Sequence, residues 1–253
     1  MKAFKTVLDL LMGAVIPIVV LNQLSSDDRL GAIPAYIVSA MIPVAWVLID
    51  LFFLTKRFNF ITSYVGLSSI LSGVLAFWFV DGVLFAVKDT IGFVFRAVLF
   101  AGSWYLGEPL IKAFLVQALS PDTPERERSL QELLAEAGIV RSFRIATWIL
   151  VIETVLAGIA NFCLNLFIVV APFGTETFNQ QVAQVNAITR VALTIPTAIA
   201  FAIAMWLMYR AIYQELPTEE GKSQLDSEFW DLVQLREEAK QTDLVGTKTV
   251  LGV

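Results

Sequence analysis

The sequence predicts an all-α protein, a polytopic transmembrane helix bundle of six spans with both termini in the cytoplasm and short amphipathic helices on that side. Three observations predict it. Of 253 residues, 57% are apolar and only 16% charged, with a mean hydropathy of +0.72; soluble domains run about 45 to 50% apolar and about 25% charged. The apolar residues gather into six runs, 7–24, 31–55, 60–80, 90–106, 147–170 and 191–213, each near the roughly 20 residues that carry a helix across about 30 Å of hydrocarbon. Finally, 14 of the 18 Lys and Arg residues fall before the first run, between the second and third, between the fourth and fifth, or from the end of the sixth onward. Only Arg29, Lys88 and Arg190 fall on the opposite side, so the positive-inside rule places both termini in the cytoplasm.

The same composition narrows the chemistry. With no His and a single Cys, a histidine-based zinc site, a Ser-His-Asp triad and an intrachain disulfide lack their parts. No phosphate-binding loop is recognisable, and no catalytic residue, cofactor, metal ligand or nucleic-acid partner is expected.

In chain order, the first run follows Lys2 and Lys5 and could imitate a signal peptide, but five more spans follow, so it is expected as an uncleaved first helix. Asp9 and Asp50 lie near the cytoplasmic ends of the first two spans, within reach of Lys5, Lys56 or Arg57. The third span carries a stripe of small residues, Ser63, Gly66, Ser69, Gly73 and Ala76, on one helical face where a second helix can approach closely. After Val80, Asp81 and Gly82 break the helix, and 83–87 is apolar again before Lys88 and Asp89. Residues 82–89 therefore suit either a short interfacial helix or an extension of the fourth span. Trp104 and Tyr105, Trp148, and Trp206, Tyr209 and Tyr213 mark cytoplasmic ends of the last three spans. Pro17, Pro43 and Pro196 fall inside spans and favour kinks.

Ionisable groups at membrane depth are costly and need partners. Arg96 is about 9 Å inside the fourth span and Glu153 a similar depth inside the fifth from the opposite side, so each is a candidate partner of the other. Asp50 is an equal candidate for Arg96. Asn161 and Asn165 follow Glu153 on nearly the same face. Asp50, Arg96, Glu153, Asn161 and Asn165 thus form a candidate intramembrane polar cluster, either a structural network or a transport path.

Between the fourth and fifth spans, in the cytoplasmic loop 107–146, Asp122 or Thr123 can cap a short helix that opens with Pro124 and presents Leu130, Leu133, Leu134 and Ala137 on one face, with Gly138 as its stop. The membrane domain occupies 1–214. The remainder, 215–253, is an acidic tail with nine acidic and four basic residues. Leu225, Phe229, Leu232 and Val233 share a helical face there that can dock a protein partner or rest on the chain's own loops, and the last dozen residues carry no pattern that predicts structure.

Several short motifs occur in a telling order. They are Asp9-Leu10-Leu11 with Gly13 and Pro17; Pro43, Trp46 and Asp50 leading to Lys56-Arg57-Phe58-Asn59; Gly66-Leu67-Ser68-Ser69-Ile70-Leu71-Ser72-Gly73; Asp81 with Lys88-Asp89; and Ser103 ahead of Glu108-Pro109-Leu110-Ile111. Together these resemble the bacterial inner membrane-spanning septation proteins, the family of intracellular septation protein A, over roughly the first 115 residues. The second half, with Asn161, the run Gly174 to Asn179, and Ile195-Pro196, resembles a longer branch that adds two spans. The resemblance implies a bacterial inner membrane, a role near envelope synthesis or division, and no catalytic residue to carry over. The function expected is a non-enzymatic scaffold, assembly or accessory subunit whose partners are membrane lipid and another protein. The alternative is a small-solute or ion transporter built on the Arg96, Glu153 and Asn161 cluster.

Overall fold

The computed structural model describes residues 8–9, 11–55, 60–218 and 227–250, with side chains for all of these except 54, 55, 60–65, 69 and 241–250. Every regular element among the described residues is helical. Two π-helical turns, Leu11–Val15 and Asp50–Thr55, join ten α-helices: α1 Ile16–Gln23, α2 Ala32–Ile49, α3 Phe60–Ala76, α4 Gly82–Tyr105, α5 Leu110–Leu119, α6 Pro124–Leu134, α7 Ala137–Ile168, α8 Glu176–Ala192, α9 Thr194–Gln214 and α10 Phe229–Val250. Three apolar helical stretches are long enough to cross a membrane: Ala32–Phe53, Ala137–Ile168 and Glu176–Gln214. Much of each stays uncovered within the chain, with Ile33, Val38, Ile152, Leu156, Ile195 and Ile199 all exposed.

The chain forms two compact units. One comprises Met1–Leu99 with Val151–Ile199, the other Phe100–Leu150 with Ala200–Val253. In the first unit α2 packs on α1 and α3, and α1 on α8. The core gathers Leu21, Tyr36, Phe85, Val169, Phe178, Val182, Ala183 and Val185. The small-residue stripe works inside the chain. A Cβ on Gly73 would stand 3.0 Å from Cγ2 of Val44 in α2, and one on Gly66 would stand 3.9 Å from Cδ2 of Leu51. At Gly73 the absence of a side chain lets two helices come together where a Cβ would hold them apart, whereas at Gly66 a Cβ would make an ordinary van der Waals contact. Ser63 and Ser69 of the same stripe lie outside the described side chains.

Of the three prolines expected to kink spans, Pro43 lies in the interior of α2. Pro17 stands in the first turn of α1 and Pro196 in the first turn of α9, after the break at Leu193. Leu11–Val15 runs into α1 without a break, so Pro17 removes a donor within a continuous helical stretch, and the Gly13 carbonyl one turn back accepts from Arg190 Nη2 at 2.8 Å. Residues 82–89 are the start of α4 rather than a separate interfacial helix.

In the second unit, α6 starts where the sequence predicts. Thr123 Oγ1 accepts the Arg126 N–H at 3.2 Å, Pro124 takes the first position, and Glu125 and Glu127 occupy the first turn, as the helix dipole favours. Asp122 leaves the cap to Thr123 and pairs with Arg126 Nη1 at 2.8 Å. Gly138 does not end the helix. The stop falls at Ala135 and Glu136, and Gly138 lies in the first turn of α7 beside Glu215. Leu130, Leu133 and Leu134 join a core with Ile111, Leu115, Ile139, Phe143, Met208 and Ile212.

Leu232 and Val233 of α10 belong to that same core, which corrects the expectation that this face of the tail is open to another protein. Phe229 is half-buried with its ring edge-on to Tyr213, and Leu225 lies outside the described residues. Arg236 adds an ion pair to Glu136, with Lys240 Nζ 3.6 Å from the same carboxylate oxygen. The helix also runs on to Val250, through residues whose sequence carries no amphipathic pattern.

Candidate functional site

The turns 24–31, 77–81 and 169–175 meet at one end of the first unit. Each leaves backbone groups that have no helical partner, and side chains from other elements take them up. Gln181 Oε1 accepts the N–H groups of Val170 and Ala171 at 3.0 and 2.9 Å. Asp81 Oδ2 accepts the Phe173 N–H at 3.0 Å. Buried Asn179 donates through Nδ2 to Ser25 Oγ at 2.8 Å and to Ala32 O at 2.7 Å.

Lys88 stands at the centre of this end, 3% exposed. Its Nζ donates to the Tyr36 hydroxyl at 2.7 Å and to Trp78 O, beyond the end of α3, at 2.8 Å. The ammonium also lies 5.0 Å from the Tyr36 ring centroid and 5.1 Å from that of Phe85. Both rings belong to an aromatic cluster: Phe173 sits edge-on to Tyr36 at 5.5 Å and to Phe178 at 5.3 Å, and Phe85 edge-on to Phe178 at 5.0 Å. Ring faces carry negative potential, so this box compensates a cation removed from water. The neighbouring residue, Asp89, accepts Nδ2–H bonds from Asn161 at 3.0 Å and Asn165 at 2.8 Å. Asn165 Nδ2 also lies 3.0 Å from Asn161 O.

The five-residue polar cluster expected from the sequence therefore divides. Asn161 and Asn165 are brought together, one turn apart and both buried, but by Asp89. Glu153 turns to α9, where the Thr197 hydroxyl lies 2.5 Å from its Oε1 and 2.8 Å from Leu193 O. Arg96 bends back along its own helix, with Nε 3.4 Å from Gly92 O and the guanidinium 4.4 Å from the Phe93 ring centroid. Neither the Arg96–Glu153 pair nor the Arg96–Asp50 pair is formed. Asp50 opens the second π-helical turn and is half-buried. Depth alone suggested the pairing of Arg96 and Glu153; direction decides otherwise, because helical side chains lean toward the N-terminus of their own helix.

Sequence reasoning missed Tyr36, Lys88 and Asp89. Adjacent opposite charges between two apolar runs were the available signal; they look like an exposed turn until α4 is seen to begin at Gly82. Among the described residues no group of three His, Cys, Asp or Glu side chains is placed to hold a metal ion. The polar groups of this end bond to one another and to backbone ends, an arrangement that ties helices together.

The chain matches no protein-family model, no curated protein and no solved structure.

Proposed function

We propose that the chain is a non-enzymatic integral protein of a bacterial inner membrane, with six spans and both termini cytoplasmic, acting as a scaffold or accessory subunit of an envelope complex. The observation that carries this is the set of three long apolar helical stretches whose side chains remain largely uncovered within the chain. Hydrocarbon is the surrounding that removes the cost of exposing them. The distribution of basic residues supports the orientation, and the envelope role rests on the resemblance of the ordered motifs to those of the septation protein family.

The core's use of Leu232 and Val233 moves the proposed partner surface to the outward side of α10. There Asp231 and Leu235 are exposed. A cysteine-labelling experiment tests the topology. In a Cys163→Ser background, Asp28→Cys should react with an impermeant maleimide in intact spheroplasts, and Glu127→Cys should react only after lysis. Co-purification of the full chain and of Asp231→Lys with Leu235→Glu tests the partner surface, which fails if the same partner is recovered from both.

The transporter alternative draws on the Glu153 carboxylate bonded across to Thr197, next to Pro196 in the first turn of α9. It requires solute or ion flux in proteoliposomes that falls with Glu153→Gln.

A further inference from the structure

An apolar cleft of about 260 Å³ lies between α4 and α7 in the first unit, lined by Thr90, Phe93, Ala97, Thr154, Gly158 and Phe162 among others. Its outer lips, Val94 and Ile159, are more than half exposed. The floor is a close helix contact, since a Cβ on Gly158 would stand 3.0 Å from Phe93 Cβ. Little polarity is available inside. The Thr90 hydroxyl is bonded to Ala86 O at 2.8 Å, one turn back in its own helix, so whatever enters meets a hydrocarbon wall.

Arg96 stands beside that wall. Its guanidinium rests on Phe93, a lining residue, and its Nε makes a long bond to Gly92 O. Among the described residues no carboxylate lies within ion-pair distance of it. A cation at a membrane span is expected to have a close polar partner. The bond to Gly92 O draws the guanidinium one turn toward the N-terminus of α4, along the side of the cleft that Phe93 lines.

We infer that this cleft is a binding site for one anionic phospholipid, an acyl chain lying along Phe93, Ala97 and Gly158 and the phosphate bonded to Arg96. The inference rests on the membrane reading proposed above. An apolar channel with no spare donor and a cation at its edge matches an amphiphile with a hydrocarbon chain and an acidic head. A planar guanidinium suits that head because it can bond two phosphate oxygens at once.

The test uses the full chain reconstituted in vesicles of equal phosphatidylglycerol and phosphatidylcholine, with retained lipid read by native mass spectrometry after gentle detergent release. The wild-type protein should retain phosphatidylglycerol over phosphatidylcholine. Arg96→Gln should cut that preference about fivefold, the scale of one basic residue at a lipid surface, and Arg96→Lys should restore much of it. Ala97→Trp fills the cleft while leaving the cation in place, and should lower retention of both lipids. Equal retention of the two lipids by the wild type, an unchanged preference in Arg96→Gln, or undiminished retention in Ala97→Trp overturns the inference. An alkaline wash of the same vesicles separates the two levels. A protein stripped off by the wash overturns the membrane reading itself, whereas one that stays embedded without lipid preference overturns only the lipid site.

Discussion

A lysine with almost no solvent contact must be satisfied by what surrounds it, and Lys88 shows how. Two oxygen acceptors and two aromatic faces replace its hydration shell. Removing the ammonium strands the Tyr36 hydroxyl and a carbonyl beyond the end of α3. Lys88→Ala should therefore destabilise the chain by about 1.5 to 3 kcal/mol, the usual worth of a hydrogen bond to a charged group. Unfolding in mild detergent would measure it, and an unchanged midpoint would contradict the account. The Thr123 cap is a smaller matter, and Thr123→Ala should cost about 1 kcal/mol. Asp122, exposed beside that cap, is held below the usual carboxylate pKa, first by its hydrogen bond from Arg126. A folded-state pKa lower than the unfolded one means that its contribution is present above the unfolded value near 4 and is lost as pH falls through the folded value. A titration followed by carboxyl NMR should show Asp122 protonating later than a free aspartate as acid is added, and Arg126→Gln should remove the difference.

At the level of helices, the α2–α3 contact depends on the absence of a side chain at Gly73. Val44 is β-branched and has one strongly preferred rotamer in a helix, so it has little room to yield to a methyl group whose Cβ would stand 3.0 Å from its Cγ2. Gly73→Ala should cost about 1 to 3 kcal/mol by overpacking. Val44→Ala in the same chain should recover part of that loss, which a double-mutant cycle in detergent would reveal. The place of Gly73 at this contact was legible in advance because glycine and serine spacing alone defines a face. The start of α6 was legible for a similar reason, since Thr123, Pro124 and Glu125 form a local signal. Its end was not: Gly138 carries a stop signal, yet the chain turns at Ala135 and Glu136, where Glu136 meets Arg236 from α10. Contacts a hundred residues away leave no local trace. The same limit hid the Lys88 box, whose ring cluster is assembled from α2, α4, α8 and the turn before α8.

For the molecule as a whole, composition and the length of apolar runs were enough to indicate a helical protein with membrane-length helices, because those properties depend on no contact. Which charges meet was beyond them: partnering is set by how helices are rotated, and Arg96, Glu153 and Asn161 each turn a different way. The tail shows the same thing, since an amphipathic face does not say whether its cover comes from the same chain. If α10 closes the second core, truncation after Leu216 should uncover Leu130 and Leu133 and speed hydrogen exchange of the α6 amides at least tenfold. Exchange no faster than in the full chain would mean that α10 rests on the core without holding it. Because Leu130 is covered by residues near 208 and 232, closing this core joins stretches made far apart in time. At about 5 to 20 residues per second of synthesis, residues 111–134 wait roughly 5 to 20 s for the last of their neighbours. During that interval their leucines are open to chaperones and to other nascent chains, so residues near 232 govern how safely residues a hundred positions earlier are made.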